Sequence, residues 1–101
     1  MEIKHSKAGN EGLLSLNGRF DFNVHREFKE AYMVLIGDAG VQSIVVNLAG
    51  VEYLDSSALG MLLMLRERVQ NAGKQVALRN PNNTVMQILD IANFNKLFTI
   101  S

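Results

Sequence analysis

Asp55, Ser56 and Ser57 stand where the largely apolar run Val45–Leu54 gives way to the apolar stretch Ala58-Leu59-Gly60-Met61-Leu62-Leu63. A carboxylate and two hydroxyls at a strand-to-helix junction can do three kinds of chemistry. They can cap the helix, because Ser and Asp oxygens accept hydrogen bonds from unpaired N–H groups. They can hold a nucleophile, which Ser56 becomes only with a base and an oxyanion site beside it. They can accept a phosphate, because free N–H groups at a helix N-terminus stabilise an anion. A phosphoserine adds about −1.5 to −2 charges. That change would leave the helix standing and be read at the surface.

Capping is the simplest use of the tripeptide. Nucleophilic catalysis has little support. The chain has two histidines, His5 and His25, no Gly-x-Ser-x-Gly elbow, and no cysteine for a thiolate nucleophile or metal site. His25 reads as a first-turn surface residue of the first helix. Asp21 and Asp55 form a pair of carboxylates without a third ligand, too few for a metal site. The expectation is therefore a non-enzymatic protein without cofactor or metal.

The elements that position these residues follow from periodicity. Two short strands, Ile3–Ser6 and Leu13–Asn17, flank Ala8-Gly9-Asn10-Glu11-Gly12, and Gly18 ends the second. Val24, Phe28, Ala31 and Leu35 mark one face of a helix running to Ile36, with Asn23 as its N-cap and Gly37-Asp38-Ala39-Gly40 as its stop. Ser43–Leu48 is a strand whose continuous Ile44-Val45-Val46 run suggests cover on both faces. The central helix spans Ser57–Asn71, with Gly73 at its C-terminal end. Gln75–Leu78 is a strand, Pro81 marks a turn, and Val85, Ile88, Leu89 and Ala92 form a third helical stripe. Leu97–Ile100 is a terminal strand or turn. The order β-β-α-β-α-β-α predicts a single α/β domain over residues 1–101, with helices packed on a mixed sheet. In such sheets, sites lie where strand C-termini meet helix N-termini.

On the central helix, Ala58, Met61, Leu62, Leu65, Val69 and Ala72 make one core stripe at about 100° per residue. Leu59, Gly60, Leu63 and Met64 fall off it as a second apolar surface beside Ser56. Either a neighbouring helix covers that surface or a partner protein docks on it. Glycine there would permit close approach, and methionine adapts to different shapes.

Bulk composition narrows the partners. The chain has 101 residues, 48% hydrophobic, enough to bury a core in one domain. Ten acidic and ten basic residues cancel. No basic excess points to nucleic acid or to an anionic membrane. Met1–His5 lacks a signal-peptide core, and no apolar run nears the ~20 residues needed to cross a bilayer. A cytoplasmic protein without membrane insertion is the expectation.

Leu54-Asp55-Ser56-Ser57-Ala58-Leu59-Gly60 resembles the signature of STAS-domain anti-sigma factor antagonists, Asp-Ser-Ser/Thr-Gly/Ala-aliphatic-Gly. Leu16-Asn17-Gly18-Arg19-Phe20-Asp21 is similar to that family's Leu-x-Gly-x-Leu-Asp segment. Val45–Leu48 resembles its central strand, and Val85–Phe98 its closing segment. The residues around Gly18–Phe22, His25, Phe28, Ala31-Tyr32 and Tyr53–Leu63 look most like the HsbA-type subgroup. The resemblance implies a STAS fold and a phosphorylation switch. Ser56 would be the phosphoacceptor, with Asp55, Ser57 and Asp21 as its neighbours. It implies as partners an anti-sigma factor, a serine kinase and a phosphatase, the last two combined in one response regulator in the HsbA-type subgroup. Ala58 replaces the commoner glycine. Val24 stands where many members carry a capping threonine, which shifts capping onto Asn23. The alternative is a STAS accessory or scaffold subunit of a membrane transporter or stress-signalling complex, without a serine switch.

Overall fold

A computed structural model describes residues 1–101. The chain forms strands β1 (Glu2–Ala8), β2 (Glu11–Phe20), β3 (Ser43–Leu54), β4 (Gln75–Arg79) and β5 (Thr99–Ile100). Helices α1 (His25–Ile36), α2 (Ser56–Asn71) and α3 (Asn83–Ile91) alternate with them. The sheet order is β1-β2-β3-β4-β5. β1 is antiparallel to β2, and the remaining pairs are parallel. This is the mixed sheet with packed helices that the element order implied.

Each β-α-β connection advances one strand in the same direction. Right-handed crossovers therefore place all three helices on one face of the sheet. One cluster of 24 buried residues takes side chains from all three helices and from one sheet face. Val45 is 3% exposed but lies outside that cluster, on the opposite face. The run is thus buried on both faces as expected, although the helices cover only the face carrying Ile44 and Val46. The middle strand needs no second layer of helices to bury Val45, because Leu13 and Ala77 flank it in register.

Four local expectations change. Gly18 does not end β2, which runs to Phe20. The strand continues through register shifts beside Gly18, whose φ of +108° suits only glycine. β3 likewise passes through Ala49-Gly50 to Leu54 rather than stopping at Leu48. A Cβ on Gly50 would overlap the Asn17 side chain and sit 2.9 Å from the Leu16 backbone oxygen, so glycine is what lets the irregular β2–β3 pair close. Asn23 does not cap the first helix. The Asp21 carboxylate accepts from Asn23 N–H at 2.9 Å, and the chain enters α1 through a single 3₁₀ turn at Phe22–Val24. Ala72 is exposed as the C-cap of α2, because the helix ends at Asn71 before the core stripe returns to the sheet.

Ala58, Met61, Leu62, Leu65 and Val69 of α2 are buried as expected. Burying a leucine such as Leu62 contributes roughly 2 kcal/mol, so this helix is firmly seated. α1 is fixed by Phe20, Phe28 and Tyr32. Their rings follow one another at 5.0 and 5.3 Å, tying the end of β2 to the start of α1.

Candidate functional site at the strand-to-helix edge

Parallel strands with helical crossovers bring all helix N-termini to one edge of the sheet. Phe20 and Leu54 are register partners. Asp21 and Asp55, the next residues, therefore sit side by side, and Asp55 N–H donates to Phe20 C=O at 3.2 Å. Asp21 caps the turn leading into α1. The Asp55 carboxylate accepts from Ala58 N–H at 2.8 Å and caps α2. Asn82 caps α3 by accepting from Val85 N–H at 2.8 Å, and its amide donates to Val51 C=O at 3.0 Å. Asn82 was missed in the sequence, although an Asn just ahead of the Val85 stripe is a recognisable start signal.

This arrangement separates two roles that the tripeptide left merged. Asp55 does the capping in an extended conformation. Ser56 becomes the first helical residue and is exposed, whereas Ser57 is half-buried. The first N–H groups of a helix have no intrahelical partner. Of the first three, Ala58 N–H is taken by Asp55, and those of Ser56 and Ser57 point toward the end of the helix. A hydroxyl at Ser56 thus stands in the positive field of the helix terminus without serving the fold.

Neither histidine is hydrogen-bonded to Ser56. His25 stacks on Phe22 at 5.9 Å between ring centroids. His5 pairs with Leu14 on β1, roughly 20 Å along the sheet from the Phe20 level at 3.3 Å per residue. The Asp21 carboxylate has a counter-charge, Arg19, with Nε at 3.7 Å. Arg19 also lies over the Tyr53 ring, 4.8 Å from its centroid. That pairing is legible only once Arg19 and Tyr53 are known to be register partners.

The second apolar surface of α2 is largely uncovered. Leu63 and Met64 are 40% and 47% exposed, and a Cβ on Gly60 would meet nothing within 4 Å. Leu59 differs, being half-buried against the core cluster. Ser56, Gly60 and Leu63 form one outward ridge at helical spacing, with Met64 beside it toward α1. Phe22, which directly follows Asp21, is 68% exposed. Its signal in the sequence was an aromatic residue one step outside the α1 stripe.

The family model described as Mlab, STAS domain, matches residues 3–99. The chain belongs to the STAS domain family. A STAS-domain containing protein of Pseudomonas aeruginosa (strain UCBPP-PA14) is 44% identical over 97 residues, covering 95% of this chain and 93% of that protein. The fold also matches the anti-sigma factor antagonist SpoIIAA in its unphosphorylated form. There the TM-score is 0.82 at 17% identity, with 99% of this chain and 88% of the other covered. The Bacillus cell fate determinant SpoIIAA in its phosphorylated form gives a TM-score of 0.75 at 16% identity, covering 99% and 91%. No helix of this STAS domain is long and apolar enough to cross a membrane.

Proposed function

We propose that this STAS domain is a phosphorylation-switched anti-sigma factor antagonist. Its unphosphorylated form binds an anti-sigma factor and so releases a sigma factor in the cytoplasm. A partner serine kinase phosphorylates Ser56 and cancels that binding, and a phosphatase restores it. Both activities reside in one response regulator if the HsbA-type likeness holds. The protein itself is a binding module and not an enzyme.

One observation carries this reading: Asp55 caps α2, so the exposed Ser56 hydroxyl at the helix N-terminus is free for modification. A phosphate there meets unpaired N–H groups and a favourable helix field. It also meets Asp55, whose like charge opposes it. The balance keeps the helix folded and places the new charge at the head of the ridge formed by Gly60, Leu63 and Met64. The switch therefore acts by repelling or blocking a partner at that surface.

The decisive experiment compares Ser56→Ala with Ser56→Asp in pull-downs from the native host. The Ala variant should retain the anti-sigma factor constitutively, and the Asp variant should lose it by at least about tenfold, or ~1.4 kcal/mol. Equal retention by both variants would overturn the switch. Phosphate found on Ser57 after incubation with the cognate kinase would move the site by one residue. Co-purification with an ABC-type ATPase, without any phosphoserine, would instead support the accessory-subunit reading.

A further inference from the structure

Beside the ridge, α1 and α2 enclose a groove whose charge is one-sided. At its head is a small hollow of about 40 Å³, lined by His25, Phe28, Lys29 and Tyr32 of α1 and by Met61 and Met64 of α2. Farther along, Met33 and Ile36 face Arg68 of α2. Neither stretch contains a carboxylate. Glu27 lies on the opposite flank of α1, toward Ile3 and His5 of β1. Glu30 borders that flank and the outer surface of α1, where it shares a shallow hollow with His25, Arg26, Lys29 and Met33.

The groove cations form no ion pair with a carboxylate, although Arg68 has the Tyr32 hydroxyl as a hydrogen-bond partner. The ion pairs of the molecule join Lys4 to Glu2, Lys7 to Asp38, Arg19 to Asp21 and Arg79 to Glu11, leaving Lys29 and Arg68 outside them. Arg68 Nε is buried without an acceptor. Its titratable neighbour is Tyr32, whose phenol burial pushes above its ordinary value and Arg68 draws partly back. Methionine walls adapt to a foreign side chain. A half-buried arginine whose Nε lacks an acceptor, with an exposed lysine farther up the same seam, favours a ligand that brings its own carboxylates.

We propose that this groove seats an acidic amphipathic helix of a protein partner, with an apolar side chain between Met61 and Met64 and carboxylates beside Lys29 and Arg68. This rests on the proposed function, in which the partner is the anti-sigma factor. It also gives the switch its sign. Ser56 lies roughly 12 Å along the α2 axis from Met64, about one and a half Debye lengths at physiological salt, so a charge there reaches only the head of the groove and is partly screened. A phosphate there offsets the groove cations and repels an acidic helix, whereas it would attract a basic one.

The test uses isotope-labelled, unphosphorylated protein and two synthetic helical peptides. The peptides share apolar positions and differ only in carrying Glu or Lys at the flanking positions. The Glu peptide should bind at least about tenfold tighter than the Lys peptide, shift the amides of His25, Lys29, Met61 and Met64, and weaken with salt. Lys29→Glu, an exposed substitution, should reduce that affinity about tenfold while the melting temperature stays unchanged. Equal binding of the Lys peptide, shifts confined to other surfaces, or no perturbation of the groove by either peptide would overturn the proposal. No kinase enters this experiment. An undiminished response in Lys29→Glu therefore sinks the groove alone, and an unaffected anti-sigma capture by Ser56→Asp sinks the switch alone.

Discussion

The two ends of the sheet hold their loops by different means. At the edge carrying Ser56, the capping bonds of Asp21 and Asp55 span only two and three residues. Asn82 adds a single longer bond, to Val51. At the opposite edge, long side chains join segments far apart in sequence. Lys7 of β1 reaches Asp38 in the loop after α1, with Nζ–Oδ1 at 3.2 Å. Lys74, just after α2, donates to the carbonyls of Asp38 and Val41, 36 and 33 residues away. Asp38 also accepts from Gly40 N–H at 2.8 Å. One edge is a set of self-contained caps, and the other is a clasp. A charge added to the first disturbs one turn, while the same change in the second would loosen three elements at once. This contrast explains how the residue proposed for modification can sit in a small domain without endangering its fold.

Substitutions at each edge would break or sharpen that contrast. The largest effect is expected at the clasp. Lys74→Met leaves two part-buried carbonyls without their charged donor and should cost about 2 kcal/mol, with partner binding unaltered. Chemical denaturation and peptide titration measure the two quantities separately. A stability change near zero would mean that the clasp is ornamental. Asp55→Ala, at the cap edge, should cost about 1 kcal/mol. Its hydrogen-exchange change should be confined to the first turn of α2, and exchange spreading to α1 or β4 would refute the idea of self-contained caps.

Gly60→Ala should act in the reverse direction. Gly60 is helical and its Cβ would meet nothing, so alanine should stabilise the domain by up to about 1 kcal/mol. The same methyl should weaken anti-sigma binding if a partner approaches the ridge closely, whereas stability and affinity rising together would argue against docking there. The smallest effect concerns pH. The Gly40 N–H, then Lys7, holds the Asp38 carboxyl below its ordinary value. A depressed carboxyl contributes stability above the unfolded value of about 3.9 and loses it as pH falls through the folded value. Asp38→Asn should therefore flatten the stability profile on the acid side of pH 4. An equally steep profile in the variant would assign acid sensitivity elsewhere.

Much of this was legible in the chain, and the failures share a cause. Helix stripes were readable because Val24, Phe28, Ala31 and Leu35, or Ala58, Leu62, Leu65 and Val69, repeat with the helical period whatever their neighbours. The strand ends were not. Gly18 read as a stop and the third strand was bounded at Leu48, yet Gly18 and Gly50 are what allow β2 and β3 to continue past their irregular pairing. Asn17, which makes Gly50 necessary, lies 33 positions away in the sequence. The capping assignment failed for a related reason. Asn23 stands next to the helical period, but Asp21 is pinned beside Asp55 by the Phe20–Leu54 pairing and reaches the free N–H first.

By itself the sequence determined the alternation of strands and helices, the apolar stripe that seats α2, and the Asp-Ser-Ser junction with an off-stripe surface beside it. These are local properties, set by residue type and by periods of two and 3.6. Tertiary structure decided the rest. Parallel pairing brought Asp21, Asp55 and Asn82 to one edge, gave the cap to Asp55 and left Ser56 free. Packing of α1 against α2 brought Lys29 of one helix and Arg68 of the other to the same groove. Which side chain meets which is fixed by register and crossover handedness, and no local window of residues contains either.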